Sequence, residues 1–188
     1  TGDFNWNKIF DGAEWFHFTG ITPALGDNVA ELTLEACKIA KEKGLTVSCD
    51  LNFRKNLWSS EKAGGVMGTL MQYVDVCIAN EEDADKVFGI RAEGVDITGG
   101  KLDHKGYEKV AQELKDRFDF SKVAITLRGS ISASDNNWAA MLYDGSEFFF
   151  SRSYPIHIVD RVGGGDSFGG GLIYALLNGY SSKDAIEF

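Results

Sequence analysis

Short apolar runs that alternate with amphipathic stretches constrain the fold of this chain more than any other feature. Trp15-Phe16-His17-Phe18, closed by the turn Thr19-Gly20, predicts a strand. Asp27 or Asn28 then caps a helix on which Val29, Leu32, Ala36, Ile39 and Ala40 recur at helical spacing, and Gly44 ends it. A second strand over 45–49 leads into Asp50-Leu51-Asn52-Phe53-Arg54. From about Ser60 to Tyr73 a helix carries Ala63, Val66, Met67 and Leu70 inward, despite the poor propensity of Gly64, Gly65 and Gly68. Val74 to Ala79 predicts a third strand, which delivers Asn80-Glu81-Glu82-Asp83 to a short helix. Arg91 to Leu102 reads as a loop, Asp103 to Phe118 as another helix, and Lys122 to Leu127 as a fourth strand. Strands separated by helices pair in parallel and need cover on both faces, so the pattern implies a mainly parallel α/β sheet. Trp138–Tyr143 and Ser146–Phe150 then predict a β-hairpin around a primed turn at Asp144-Gly145. The expectation is one α/β domain over residues 1–188.

The formal charge of −9 excludes nucleic acid and anionic membrane as natural partners. Cys37, Cys49 and Cys77 lack metal-ligand or C-x-x-C spacing and sit in apolar surroundings, which predicts buried free thiols and a reducing, cytoplasmic setting. No apolar run approaches the ~20 residues of a membrane span, and no signal peptide opens the chain. Both ends read as cut: no methionine precedes Thr1, and Ser181 to Phe188 begins a capped helix that stops after about two turns.

Asp160-Arg161-Val162-Gly163-Gly164-Gly165-Asp166 joins a glycine turn to the apolar helix Ser167–Leu177, which Asn178-Gly179 closes. Three residues without Cβ let unpaired N–H groups converge and let a ligand approach closely, and the helix dipole adds positive charge. The spot suits an anion. Asp166 is a carboxylate at that same spot, which points to proton handling, although an Asp that merely caps a helix also satisfies the pattern.

Asp160 to Asp166 resembles the D-T-x-G-A-G-D signature of the ribokinase-like (phosphofructokinase-B) carbohydrate kinases, with Arg161 in place of Thr and Gly164 in place of Ala. An Asp-Ser-Phe sequence and a helix of small residues follow, as in that family. The resemblance implies a ribokinase-like α/β fold that is incomplete at both ends. It implies that Asp166 takes the proton from the attacking sugar hydroxyl, while the amides of Gly163, Gly164, Gly165 and Asp166 stabilise the transferring phosphoryl group. Asp160 and the Val162 carbonyl fall where many members hold a monovalent cation, which makes potassium the implied ion. Asn80-Glu81-Glu82-Asp83 is similar to the N-x-x-E motif that orders magnesium near the phosphates, with Asp83 in place of Glu and Glu82 as the alternative. Thr126-Leu127-Arg128-Gly129-Ser130 is similar to the nucleotide-phosphate loop after a strand.

These residues fall beyond the carboxyl ends of the predicted strands, where open α/β sheets bind ligands. His17, inside its strand, reads as a core or edge residue. Asp50-Leu51-Asn52-Phe53-Arg54-Lys55-Asn56-Leu57-Trp58 resembles the D-x-N-x-R-x-x-L-W stretch of the 2-keto-3-deoxygluconate kinase branch. Arg54 would then bridge the sugar acid and the nucleotide phosphate, with Asn52 beside it, since a guanidinium suits a carboxylate. The implied reaction is ATP- and Mg2+-dependent phosphorylation of the terminal hydroxyl of that sugar acid. A kinase for a neutral ketose such as fructose, and a non-catalytic fragment of such a kinase, are the competing readings, and homo-oligomer formation by the intact parent stays open.

Overall fold

The computed structural model describes residues 4–91, 104–132, 134–160 and 162–188. Its frame is a parallel sheet of β1 (Trp15–Thr19), β2 (Thr46–Asp50), β3 (Val76–Ala79) and β4 (Lys122–Ser130), paired in that order. Between the strands run α3 (Asp27–Glu42), α4 (Ser60–Leu70), α5 (Glu81–Phe88) and α6 (His104–Phe118). The short helices α1 (Trp6–Ile9) and α2 (Ile21–Ala24) flank β1. The sheet continues antiparallel through β5 (Asp135–Tyr143), whose far edge pairs first with β6 (Phe148–Phe150) and then with β7 (Tyr154–His157). Helices α7 (Gly164–Leu177) and α8 (Ser182–Glu187) follow.

Strand alternation sorts the side chains into two cores. Phe18, Val47, Cys49, Cys77, Val123, Ile125 and Leu127 pack with the inward faces of α3 to α6. Ile78, Ala124, Ala140 and Leu142 face the other way and pack with Leu172 and Ala175 of α7 and Ala185 and Ile186 of α8. All four residues of β3 are therefore buried, as a strand covered on both faces requires. On the α7 side of β1 and β2 the pattern changes to Trp15, His17, Thr19, Ser48 and Asp50, a polar strip on an otherwise apolar sheet. A fully buried apolar side chain contributes about 1.5–3 kcal/mol, so a polar strip at that position weakens the core and calls for another reason. The three cysteines are free and buried, and burial pushes the Cys37 thiol up to about 12.

Four readings change. Arg128, Gly129 and Ser130 form no loop after the fourth strand but lie within β4, because 136–140 of β5 supply pairing partners out to Ser130. The hairpin turn centres on Gly145-Ser146, one residue later than predicted: Asp144 still pairs with Glu147 (N···O 3.2 Å), and Gly145 takes the positive φ of 93°. Asp27 is the first residue of α3, with Gly26 at the cap position, and neither Asp27 nor Asn28 caps it. The third strand starts at Val76, because Asp75 is spent on fixing the sheet's lower edge: its carboxylate takes the Lys41 ammonium at 2.6 Å and the Val47 N–H at 2.8 Å. The predicted loop after Arg91 lies outside the described residues.

Candidate active site

At the carboxyl end of the sheet β1, β2 and β3 stop together, and the chain is drawn tight there. Gly20 N–H donates to the Asp50 carbonyl at 2.8 Å and Leu51 N–H to the Ile78 carbonyl at 2.9 Å. A Cβ on Gly20 would come within 2.1 Å of the Leu51 carbonyl oxygen, so only glycine lets the end of β1 meet the end of β2. Just beyond, Asn52 holds a left-handed φ of 38°, and its Nδ2 donates to Thr19 Oγ1 at 3.0 Å. That bend carries the chain across the strand ends to Arg54.

Helix α7 starts at Gly164 with Gly163 in the left-handed conformation, φ 79°, and Asp166 stands in its first turn. The helix turn closes on Gly163, whose carbonyl accepts both the Ser167 N–H and its hydroxyl at 2.8 Å. The first N–H groups of a helix have no partner within it, and here three of them belong to glycines, with no side chain in the way. A Cβ on Gly165 would lie 3.7 Å from Asp50 Oδ2, which puts the start of α7 directly over the end of β2.

Four charged groups therefore share one space. Asp50 is pushed up to about 7, first by burial and then by the Asp83 carboxylate; the Asn52 N–H opposes this, Asp166 adds to it and Arg54 opposes it. Asp83 is raised to about 6, again by burial first, with the Phe53 and Asn80 N–H groups and Arg54 holding it down. Asp166 also acts on His17, although the larger influence there is burial of the ring, which lowers its pKa even though the residue as a whole is exposed.

Asp83 is committed within the fold. Its Oδ1 accepts the Phe53 N–H at 2.9 Å, its Oδ2 the Asn80 N–H at 3.4 Å, and its own N–H donates to Asn80 Oδ1 at 2.8 Å. Asn80 and Asp83 thus form a capping box for α5 and tie the Arg54 segment to it. Glu82 is exposed. Asp160 is exposed, and its Oδ1 accepts the Val162 N–H at 2.9 Å, an ordinary Asx turn; Arg161 lies outside the described residues. Thr126, Arg128 and Gly129 sit on the β4–β5 ribbon, and among the described residues no hydrogen bond or ion pair joins them to the carboxylate cluster. Asp50 and His17 are the two members that sequence reasoning left without a role. Asp50 was legible as the first residue of the Arg54 motif, whereas His17 becomes notable only through strand register.

The raised pKa of Asp50 gives a stability prediction. An acid whose folded pKa exceeds its unfolded value binds more protons when folded, so stability is present below about pH 4 and declines as pH rises to about 7. Asp50→Asn removes that decline. Its urea midpoint should exceed the parent's at pH 8 by the equivalent of roughly 1–3 kcal/mol, and the two should approach each other at pH 4. Equal midpoints at both pH values would refute the assignment.

The comparisons with known proteins bear on family and fold. The model of the pfkB family carbohydrate kinases matches residues 2–188. A 2-dehydro-3-deoxygalactonokinase of Haloferax volcanii is 30% identical over 180 residues, covering 96% of this chain and 50% of that protein. A 2-dehydro-3-deoxygluconokinase of Bacillus subtilis is 29% identical over 179 residues, with 95% and 48% covered. The crystal structure of 2-dehydro-3-deoxygluconokinase from Thermotoga maritima superposes with a TM-score of 0.91 at 52% identity, over 98% of this chain and 55% of that one. The chain spans about half the length of the curated relatives it matches. The fold is the ribokinase-like α/β fold with a mixed, mostly parallel sheet, and the chain belongs to the pfkB family of carbohydrate kinases.

Proposed function

We propose that the complete protein carrying this chain is an ATP-dependent kinase that phosphorylates the terminal hydroxyl of 2-keto-3-deoxygluconate. The observation that carries this reading is the start of the glycine-opened helix, with Asp166 in its first turn, standing over the Asp50 end of β2, from which the chain runs on to Arg54. Phosphoryl transfer asks for a proton acceptor, an anion cradle and neutralising charge, held in place. Asp166 accepts the proton from the sugar hydroxyl. The N–H groups of Gly163, Gly164, Gly165 and Asp166 receive the charge that develops on the phosphoryl oxygens. Arg54, exposed and with only its own chain's Phe53 carbonyl as a described hydrogen-bond partner, pairs with the sugar carboxylate and reaches the nucleotide phosphate, with Asn52 holding the bend beneath it. The nucleotide extends toward Asn80 on one side and toward Thr126, Arg128, Gly129 and Ser130 on the other. The likeness to the Thermotoga maritima enzyme supports the gluconate form, and that to the Haloferax volcanii enzyme supports a test of the galactonate epimer as well.

The donors here are oxygens, which suit magnesium, and among the described residues no three acidic or imidazole side chains form a cage. Magnesium commonly binds through one or two carboxylates plus substrate phosphates, so the exposed Glu82 and the Asp83 end of α5 would meet an ion brought by ATP. When bound, that ion neutralises phosphate charge. Asp160 and the Val162 carbonyl are the site proposed for potassium.

The test is ATP-coupled turnover by the complete protein with 2-keto-3-deoxygluconate, its galactonate epimer and fructose. Preference for a sugar acid supports the proposal, and preference for fructose refutes it. Turnover should vanish in excess chelator and return with Mg2+; full activity without divalent ion would rule out this phosphoryl-transfer chemistry. Potassium dependence tests only Asp160 and Val162.

A further inference from the structure

Among the described residues other than glycine, only Asn52 and Asp119 have a left-handed φ, 38° and 57°. Asp119 follows the last turn of α6, where such a residue is an ordinary helix stop. Asn52 ends no helix. It lies just past β2, so its neighbours must hold a conformation that residues with a Cβ seldom adopt. Thr19, at the end of β1, stands opposite Asp50, and its Oγ1 accepts the Asn52 Nδ2–H at 3.0 Å. Among the described residues Thr19 is the one hydrogen-bond partner of that amide side chain. The Asp50 carboxylate takes the Asn52 backbone N–H, and on the other flank Asp83 Oδ1, on a side chain only 4% exposed, takes the Phe53 N–H at 2.9 Å. The Arg54 carbonyl then accepts the Leu57 N–H at 2.9 Å, in a turn that ends on the buried Trp58. The backbone is therefore bonded on both sides of Arg54, while its guanidinium stays exposed.

We propose that Thr19, acting through Asn52, is a positioning residue for Arg54 and thereby for the acceptance of an acidic sugar. This rests on the reading of Arg54 as the partner of the sugar carboxylate. A guanidinium meets a carboxylate through two parallel N–H bonds, so the strength of the pair depends on direction as well as charge. A misplacement of about 1 Å in a binding group can cost on the order of 10²-fold in rate. The bend at Asn52 sets where the Arg54 stem begins, and the Thr19 bond joins that bend to the end of a sheet strand rather than to another loop. The sheet thus fixes the stem, and only the side chain beyond it is left to adapt to the ligand.

Two measurements on the complete protein test it, one without turnover. Thr19→Val keeps the shape and removes the acceptor, whereas Thr19→Ser keeps the acceptor. Amide hydrogen exchange of residues 52–57 should quicken roughly threefold to tenfold in Thr19→Val, the size expected for one lost hydrogen bond, with the middle of β2 unchanged. The ratio of kcat/KM for 2-keto-3-deoxygluconate to that for a neutral sugar of the same shape should fall by roughly the same factor, and Thr19→Ser should restore both readouts. Asn52→Gly is the second variant: it accepts the left-handed φ without strain, lacks the amide, and leaves in place the Ile21 N–H that Thr19 Oγ1 also accepts at 3.5 Å. It should lower the ratio as well, and adding Thr19→Val to it should cost nothing further. Unchanged exchange in Thr19→Val, losses that multiply in the double variant, or an equal fall in both activities with the ratio held overturns the proposal. Should the complete protein phosphorylate no sugar, the kinase reading fails, and the exchange of residues 52–57 still decides whether Thr19 holds the bend.

Discussion

Asp166→Asn should lower turnover of the complete enzyme by about 10²- to 10⁴-fold while leaving the fold and nucleotide binding intact, the size expected when a positioned general base loses its ability to take a proton. The carboxamide is nearly isosteric, and Asp166 is exposed in the first turn of α7, so the exchange disturbs no packing. The N–H groups proposed to receive the phosphoryl oxygens belong to the backbone and survive the change, which separates loss of the base from loss of the anion site. Removing a negative charge near the helix start costs only a few tenths to about 1 kcal/mol of stability, too little to unfold the domain. Turnover with saturating sugar acid and ATP, alongside an ATP-binding titration, checks both halves of the expectation. Near-normal turnover would show that another group takes the proton, and Asp50 would be the first to examine, since burial and its carboxylate neighbours hold it near neutrality.

How much of this was legible in the sequence depended on whether the signal was local. The parallel core was legible because β3 lies between two covered layers and is apolar throughout, and the helices between the strands show helical spacing. The start of α7 was legible because a run of glycines before an apolar segment has few other uses. The end of β4 was not: Arg128-Gly129-Ser130 has the composition of a loop, and only the partners offered by Asn136 and Asn137 make it a strand. The strand β7 was missed for a related reason, since all four of its residues are exposed and Pro155 cannot donate to a ladder, which is how an edge strand looks in sequence. Asp83 carried two signals at once, a likeness to a magnesium-ordering motif and the spacing of a capping box, and its carboxylate is engaged in the second. The link from Trp15 through Ser48 to His17 joins residues more than thirty positions apart and depends on a strand register that no local pattern encodes.

The second large effect concerns Arg54 and separates acid from neutral sugars. Arg54 lies beyond the bend at Asn52, exposed in this chain, with the partly buried Asp50 and buried Asp83 carboxylates feeling its charge. Those carboxylates would repel a negatively charged substrate, so a sugar acid binding here needs the guanidinium both as a partner and as a screen. In Arg54→Met the side chain keeps its length and loses its charge, and a bound sugar carboxylate is left facing carboxylates alone. The cost with 2-keto-3-deoxygluconate should be several kcal/mol in kcat/KM, of the order found when one member of a desolvated charge pair is removed. A neutral sugar of the same shape loses no partner, but it still loses any contact between Arg54 and the nucleotide phosphate, so its kcat/KM should fall by a smaller amount. The ratio of the two kcat/KM values cancels that shared loss, and it should fall at least tenfold in the variant, about 1.4 kcal/mol of discrimination. If both activities drop equally and the ratio holds, Arg54 serves the nucleotide, and the preference for an acid would have to be encoded by residues outside this chain's strand ends.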